Sequence, residues 1–443
     1  MDYKKPSFVT ISILLTINLF VACLSNDRKK VSKIDSTTTT NSKPPQNDSF
    51  RVRSLTNIKY ERTPERLKRG EYLTTGLLQC LTCHSPRNWD APGAPPVYEK
   101  KGSGGTILFE DSASRISAPN ITPDMETGAG TWTDDMLARA IREGVGHDGR
   151  ALNWQMPSST FRNLPDEDLA SVIVYLRSLP PVHNVVLPVK MYAAEKSEIE
   201  KSLWPLTEPV EMPDLSDSLK RGRHLVRLGE CAGCHTSHAE YNPGIFAGGN
   251  YIDRFGSKVF SANITADSSG IPYGAAGFIF VMRTGKGGTL SPTMPWAAFK
   301  NMTDNDLKAI YAYLLTVPPA QHYVNNQQPF THCAICGMEH GLGDKNKRKK
   351  PAGIKLDPKV YDQYAGTYFN EQWNNSYIIT RNGNMLFGKQ WETGPATELI
   401  PQTELRFLAP GWVLPINFIK DKDGRIMQLA EETDYGRVFK KIK

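Results

Sequence analysis

The sequence predicts a mainly α chain, with two tandem and related domains followed by a small antiparallel β domain. Three observations predict this. Cys80-Leu81-Thr82-Cys83-His84 returns as Cys231-Ala232-Gly233-Cys234-His235. The residues that follow each pentapeptide also recur, and each copy closes on a helical apolar pattern. The last ninety or so residues belong to neither copy and alternate short strand-like runs with turn dipeptides.

At 443 residues the chain has room for about three domains of roughly 150 residues each. A hydrophobic content of 39% and a charged content of 22% are those of an ordinary globular protein. The net charge of +7 owes five positive charges to one short run: Lys345, Lys347, Arg348, Lys349 and Lys350. No aromatic residue interleaves with that run, so it reads as a solvated linker and nucleic acid is not an expected partner.

In chain order, Lys4 and Lys5 precede a mostly apolar run from Phe8 to Ala22, the form of a secretory signal. Leu19-Phe20-Val21-Ala22-Cys23 resembles a bacterial lipoprotein processing site, in which cleavage after Ala22 leaves Cys23 to be lipidated. The alternative is an uncleaved anchor helix, although the run is shorter than the ~20 residues that span a bilayer. Either reading places the body outside the cytoplasm. From Ser25 to about Asn57 the chain is rich in Ser, Thr, Asn and Lys, which makes it a tether. Thr63-Pro64 then has the form of an N-cap followed by proline at the first helical position, which opens the first folded domain.

The two copies match in detail. Leu67-Lys68-Arg69-Gly70 recurs as Leu219-Lys220-Arg221-Gly222, and Asn120-Ile121-Thr122 as Asn263-Ile264-Thr265. Met156-Pro157, Phe161, Asn163, Asp166, Asp168, Tyr175, Leu176 and Pro180-Pro181 reappear at a constant offset (156 to 294) as Met294-Pro295, Phe299, Asn301, Asp304, Asp306, Tyr313, Leu314 and Pro318-Pro319. The first copy carries extra residues in loops such as Pro92 to Gly105. Leu169, Val172, Ile173 and Leu176 lie at i, i+3, i+4 and i+7, one apolar helical face. Thr303 and Asp306 have capping-box spacing at the start of the second closing helix.

Two thiols at i and i+3 can add to the two vinyl groups of a haem while the adjoining histidine reaches its iron. A redox disulfide or half a zinc site would need no histidine after the second cysteine. The sequence therefore predicts two covalent haem c groups, held by Cys80, Cys83 and His84 and by Cys231, Cys234 and His235. Met156 and Met294, equivalent in the repeat, are the expected second axial ligands, since thioether sulfur favours reduced iron. His147 and Met125 are rivals in the first copy only. With both iron faces filled, such a haem exchanges electrons and has no place for oxygen or peroxide.

These residues resemble the class I c-type cytochrome domains of the cytochrome subunits that serve membrane-associated alcohol, aldehyde and gluconate dehydrogenases. The likeness rests on Asn120-Ile121-Thr122-Pro123-Asp124, Gly130-Thr131-Trp132-Thr133, Arg142-Glu143-Gly144, Asp148-Gly149-Arg150 and Met156-Pro157. In the second copy it rests on Asn263-Ile264-Thr265, Arg283-Thr284-Gly285 and Met294-Pro295. It implies electron transfer from a dehydrogenase toward quinone or an oxidase. Arg142 and Arg283, placed alike in the repeats, are candidates to pair haem propionates or are ordinary surface arginines.

That family commonly carries a third haem. Here the corresponding stretch is His332-Cys333-Ala334-Ile335-Cys336-Gly337-Met338-Glu339-His340, with Gly337 in place of histidine. A Cys333–Cys336 disulfide suits an oxidising compartment. A metal site using His332 and His340 and an atypical haem attachment are the other readings. Near the C-terminus, Asn382-Gly383 and Asp423-Gly424 each sit between strand-like runs and predict hairpins. Leu356-Asp357-Pro358 and Tyr364-Ala365-Gly366-Thr367-Tyr368 resemble the small β-rich domain appended to serine β-lactamase-like proteins, and no catalytic residue comes with them.

The predicted division is a signal peptide at 1–22, a lipidated cysteine and tether at 23–60, cytochrome domains at 61–185 and 186–330, a Cys-x-x-Cys segment and basic linker at 331–356, and a β domain at 357–443. The predicted function is electron transfer from an extracytoplasmic dehydrogenase to a downstream cytochrome or oxidase, by a protein lipid-anchored on the periplasmic side of a bacterial membrane. The alternatives are a dihaem peroxidase and a haem-containing sensor that uses the β domain.

Overall fold

The computed structural model describes residues 52–443 except 92–93, 238–242, 255–256, 288–292, 348–351, 372–374, 391–395, 410–411, 413–414, 433–436 and 443. The signal run, Cys23 and the tether through residue 51 lie outside the described residues, as do Arg348, Lys349 and Lys350 of the basic run. Among the described residues no helix is long and apolar enough to cross a membrane. The last residues of the expected tether are docked on the protein. Arg53 bridges Asp135 at 2.6 Å and Glu143 at 2.7 Å, and the Tyr60 amide donates to Asp134.

The first copy opens with α1 (Pro64–Tyr72). Thr63 caps it by accepting from the Arg66 amide at 3.2 Å, and Pro64 stands at the first helical position where no donor is missed. A π-helical turn at Leu73–Leu77 leads to α2 (Cys80–Cys83). The π turn has a sequence cause. From Leu67 to Cys80 is one residue longer than from Leu219 to Cys231, and a single wide turn absorbs the insertion without shifting the cysteines. The hairpin β1 (Ile107–Glu110) and β2 (Arg115–Ser117) follows, then α3 (Asp134–Glu143), α4 (Ser158–Phe161) and α5 (Asp166–Ser178). After a linker that includes α6 (Ala193–Ser202), the second copy repeats the plan. Its elements are α7 (Ser218–Leu228), α8 (Cys231–His235), β3 (Tyr251–Arg254), β4 (Ser257–Phe260), α9 (Ala275–Thr284), α10 (Trp296–Phe299) and α11 (Asp304–Leu314).

In each copy the opening and closing helices cross at a glycine. A Cβ on Gly70 would lie 1.9 Å from the Ser171 carbonyl oxygen on α5, and one on Gly222 would lie 2.0 Å from that of Ala309 on α11. Beside each glycine an arginine pairs with a buried aspartate of the closing helix. Arg69 grips Asp168 through two bonds of 2.8 Å, and Arg221 reaches Asp306 at 2.6 Å. The repeated Lys-Arg-Gly thus specifies one close helix crossing twice. Leu169, Val172, Ile173 and Leu176 face inward as their spacing predicts, none more than 4% exposed. Thr303 caps α11 through the Asp306 amide. Apolar residues of both copies, Leu73, Leu77 and Ile173 with Leu225, Leu228 and Ile310 among them, form one continuous cluster.

Past α11 the chain forms a small hairpin, β5 (Phe330–His332) with β6 (Glu339–Gly341). It ends in a closed antiparallel barrel. The barrel strands are β7 (Gly366–Asn370), β8 (Asn375–Asn382), β9 (Met385–Lys389), β10 (Thr397–Pro401), β11 (Arg406–Leu408), β12 (Ile416–Lys420), β13 (Ile426–Glu431) and β14 (Val438–Lys441), each paired with its sequence neighbour and β14 with β7. Both predicted hairpins are present. Gly383 at φ 57° turns β8 into β9, and Gly424 at φ 80° turns β12 into β13. Tyr364, Tyr368, Tyr377, Phe407, Phe418 and Phe439 fill the barrel core.

The expectation of a mainly α chain is therefore corrected. The described residues hold fourteen strands beside eleven α-helices, and eight of the strands close a barrel. Several of the helices, α2 and α4 for example, run only four residues.

Candidate functional site

The two pentapeptides are presented alike. The residue before the first cysteine takes a left-handed conformation in both copies, Gln79 at φ 48° and Glu230 at φ 55°, although neither is glycine. Such a backbone costs about 1 kcal/mol or more and persists only where the surrounding structure holds it. It breaks the helical path just before the thiols and sets the cysteines on their own turn.

The histidines are oriented by equivalent carbonyls. His84 Nδ1 donates to the Pro119 oxygen at 2.9 Å, and His235 Nδ1 to the Ala262 oxygen at 2.8 Å. That bond fixes the tautomer, so that Nε2 keeps its lone pair for a metal. Burial pushes both imidazoles below the ordinary histidine value, which keeps them neutral as ligation requires. The role of the Asn-Ile-Thr repeat becomes legible here. Asn120 Oδ1 accepts from the Thr122 amide and hydroxyl while its amide group donates to Val182 O; Asn263 does the same with Thr265 and Ala320 O. Each asparagine pins the loop whose preceding residue supplies the orienting carbonyl.

In the first copy these groups line a cleft with about 1520 Å³ of open space, mouth included. Cys80, Cys83 and His84 contribute to its lining, as do Met156 and Pro157. Apolar walls come from Leu78, Ile121, Leu137, Ile141 and Leu176. Burial raises the Cys80 and Cys231 thiols to about 12, so both are neutral S–H groups rather than thiolates. Two sulfurs, one lone-pair nitrogen, a thioether in the lining and largely apolar walls fit a flat, covalently held macrocycle. Leu228 and Glu230 of the second copy also line the cleft, so it ends where the second pentapeptide begins.

Cys231, Cys234 and His235 share α8, and Met294 packs against the common apolar cluster. The segments 238–242 and 288–292 beside them lie outside the described residues. Of the first-copy rivals to Met156, Met125 is 65% exposed, whereas His147 does reach the cleft and stacks on Trp132 at 4.3 Å between centroids. Arg142 and Arg283 are placed alike in the structure, as they are in the repeat. Each pairs at 2.6 Å with the first aspartate of its closing helix, Asp166 or Asp304. An aspartate at a helix N-terminus is a favourable anion in its own right.

Cys333 and Cys336 are both buried and are not bonded to each other in the structure. His332 is exposed, and the imidazoles beside these thiols belong to His340 and to His322, a residue that the sequence reading missed. The signal for His322 was the repeat itself, followed past the double proline: Pro181-Val182-His183-Asn184 aligns with Pro319-Ala320-Gln321-His322, which sets His322 against Asn184.

No family model matches the chain. Among curated proteins it is similar to the fructose dehydrogenase cytochrome subunit of Gluconobacter japonicus, 26% identical over 301 residues, 64% of this chain and 59% of the relative. It is 33% identical over 185 residues to the gluconate 2-dehydrogenase cytochrome c subunit of Pantoea cypripedii, 38% of each chain. It is 30% identical over 162 residues to a diheme cytochrome c-type protein of Cereibacter sphaeroides, 35% of this chain and 53% of the relative. The chain thus spans less than two-thirds of the length of each of these relatives.

Proposed function

We propose that the chain is an exported cytochrome c, lipid-anchored at Cys23 on the periplasmic side of a bacterial membrane. It carries electrons from an extracytoplasmic dehydrogenase to a downstream cytochrome or oxidase. The observation that carries this reading is the duplicated cradle, in which a left-handed residue, a Cys-x-x-Cys-His turn and an Nδ1-to-carbonyl bond occur in both copies. The similarity to dehydrogenase cytochrome subunits supports the same reading.

Cys80 and Cys83 would hold one haem c, Cys231 and Cys234 a second, with His84 and His235 as the first axial ligands and Met156 and Met294 as the second. Bound haem supplies reversible one-electron chemistry. The chain's own part is to fix the ligand tautomers, to exclude water with the leucine and isoleucine walls, and to set the potential through a thioether ligand. Glu230 and Leu228 at the edge of the first cleft bring the second pentapeptide beside the first site, as a relay needs. Met ligation in both copies weighs against a peroxidase, which needs an open or bis-histidine iron.

The test is haem quantitation with a visible spectrum of the oxidised full-length protein, followed by reduction by dehydrogenases from neighbouring genes. Two low-spin haems reduced by such a dehydrogenase support the reading. One high-spin haem with peroxide turnover overturns it.

A further inference from the structure

Four side chains outside the haem cradles converge in the interior: His322, Cys333, Cys336 and His340. Their ligand atoms all lie within 4.8 Å of one another, and no member is more than 2% exposed. We propose that these four residues form a structural zinc site with two sulfur and two nitrogen ligands, which fastens the segment between the second repeat and the barrel.

The local fold is built for such a site. Cys333 and Cys336 occupy the tip between β5 and β6, where the Gly337 amide donates to Cys333 O at 2.9 Å and the Cys333 amide to Met338 O at 2.8 Å. Gly337, at φ 72°, makes the turn. The Cys336 amide lies 3.5 Å from Cys333 Sγ, a contact that stabilises a thiolate. His340 follows on β6 and returns its ring beneath the tip.

Both imidazoles have Nδ1 engaged and Nε2 left over. His322 Nδ1 donates to Ala247 O at 2.8 Å, and its Nε2 lies 3.4 Å from Cys333 Sγ. His340 Nδ1 donates to Gly341 O at 3.2 Å, while its fully buried Nε2 makes no hydrogen bond. A carbonyl on the distal nitrogen is the usual support of a metal-bound histidine. The sulfur–nitrogen distance of 3.4 Å is near the ~3.5 Å edge of a tetrahedron with zinc bonds of about 2.3 Å to sulfur and 2.0 Å to nitrogen.

Comparison of the two repeats isolates what is added. In the first copy Asn184 donates through Nδ2 to Ser103 O at 2.8 Å, and its amide donates to Thr127 Oγ1 at 2.9 Å. His322 makes both equivalent bonds, to Ala247 O and, through its amide, to Ser269 Oγ. The structural task is thus met by a carboxamide in one copy. The imidazole in the other meets it equally and turns one further nitrogen toward the thiols. Four buried donors without access to solvent suit a closed structural site rather than a redox or catalytic pair, and an S₂N₂ donor set is that of zinc.

The test is elemental analysis of the full-length, haem-loaded protein purified without chelators, with zinc K-edge absorption. The expected result is one zinc per chain with two sulfurs near 2.3 Å and two nitrogens near 2.0 Å. His322→Asn restores the first-copy residue and keeps its hydrogen bond, so it should retain the haem spectrum and lose at least tenfold in zinc content; Cys333→Ser should do the same. Zinc below a tenth of an equivalent in the wild type, another metal in its place, a 333–336 fragment two mass units light, or full zinc retention by both variants would each overturn the proposal.

Discussion

Asn163 and Asn301, equivalent residues of the two repeats, each bond across to the opposite copy. Asn301 donates to the Thr75 carbonyl at 3.0 Å, and Asn163 accepts from Arg227. Both partners lie in the turn just ahead of a Cys-x-x-Cys-His. The repeats therefore meet about a pseudo-two-fold axis, as the halves of an isologous dimer do. Asn163→Ala and Asn301→Ala should each lower stability by about 1 kcal/mol. Guanidinium denaturation of the two single variants should show near-equal shifts, and a twofold or larger inequality would contradict the symmetric contact.

The glycine crossings allow a harsher test. A methyl group at Gly70 or Gly222 meets a carbonyl oxygen at about half of van der Waals distance, which only a backbone shift relieves. Gly70→Ala and Gly222→Ala should each destabilise by about 3 kcal/mol or prevent folding, whereas Gly383→Ala strains only an exposed turn and should cost about 1 kcal/mol. Denaturation midpoints, or soluble yield where the midpoint cannot be measured, decide the order.

His224 gives the chain a pH dependence. Burial lowers its imidazole to about 4, with Asp168 and Asp306 opposing and Arg69 and Arg227 adding to the effect. The unfolded chain binds this proton near 6.5 and the folded chain only near 4. Stability from this residue is therefore complete above pH 6.5, falls as the pH drops, and is lost by about pH 4. The loss is on the order of 3 kcal/mol. His224→Gln should flatten the difference in denaturation midpoint between pH 7 and pH 5 relative to wild type.

Thioether ligation is tested one copy at a time. Met156→Ala and Met294→Ala should each remove half of the weak far-red charge-transfer band of sulfur-ligated oxidised haem. Each should lower one midpoint potential by on the order of 100 mV, within the roughly 0.8 V that axial ligands command. Persistence of the full band in Met156→Ala, with its loss in His147→Ala, would transfer the role to His147.

The barrel has its own apolar cluster, distinct from that of the repeats. A chain ending before residue 353 should keep both haems and accept electrons from a dehydrogenase at a rate within twofold of the full protein. A tenfold loss would place the barrel in the electron path or in partner docking.

The sequence made the helix starts, the inward face of α5, the two turn dipeptides and the repeat legible, because each is written in local spacing. Barrel closure was not legible. It depends on β14 meeting β7, a pairing between Lys441 and Tyr368 that no short pattern announces. The π turn was visible only as a one-residue mismatch between copies. His322 was hidden because the identities between the copies end at Pro318-Pro319, three residues before it. The aspartate partners of Arg142 and Arg283 were not legible either, since the sequence marks a cation but not which anion it faces.

The unbroken apolar cluster that joins the repeats bears on how this protein can be inherited and rebuilt. Leu77 and Leu228 sit in the same cluster, each at most 1% exposed. Neither copy could be excised or traded as a cassette without laying bare a greasy wall sized for its sister. The smallest unit that duplication, fusion or an engineer can move intact is the pair.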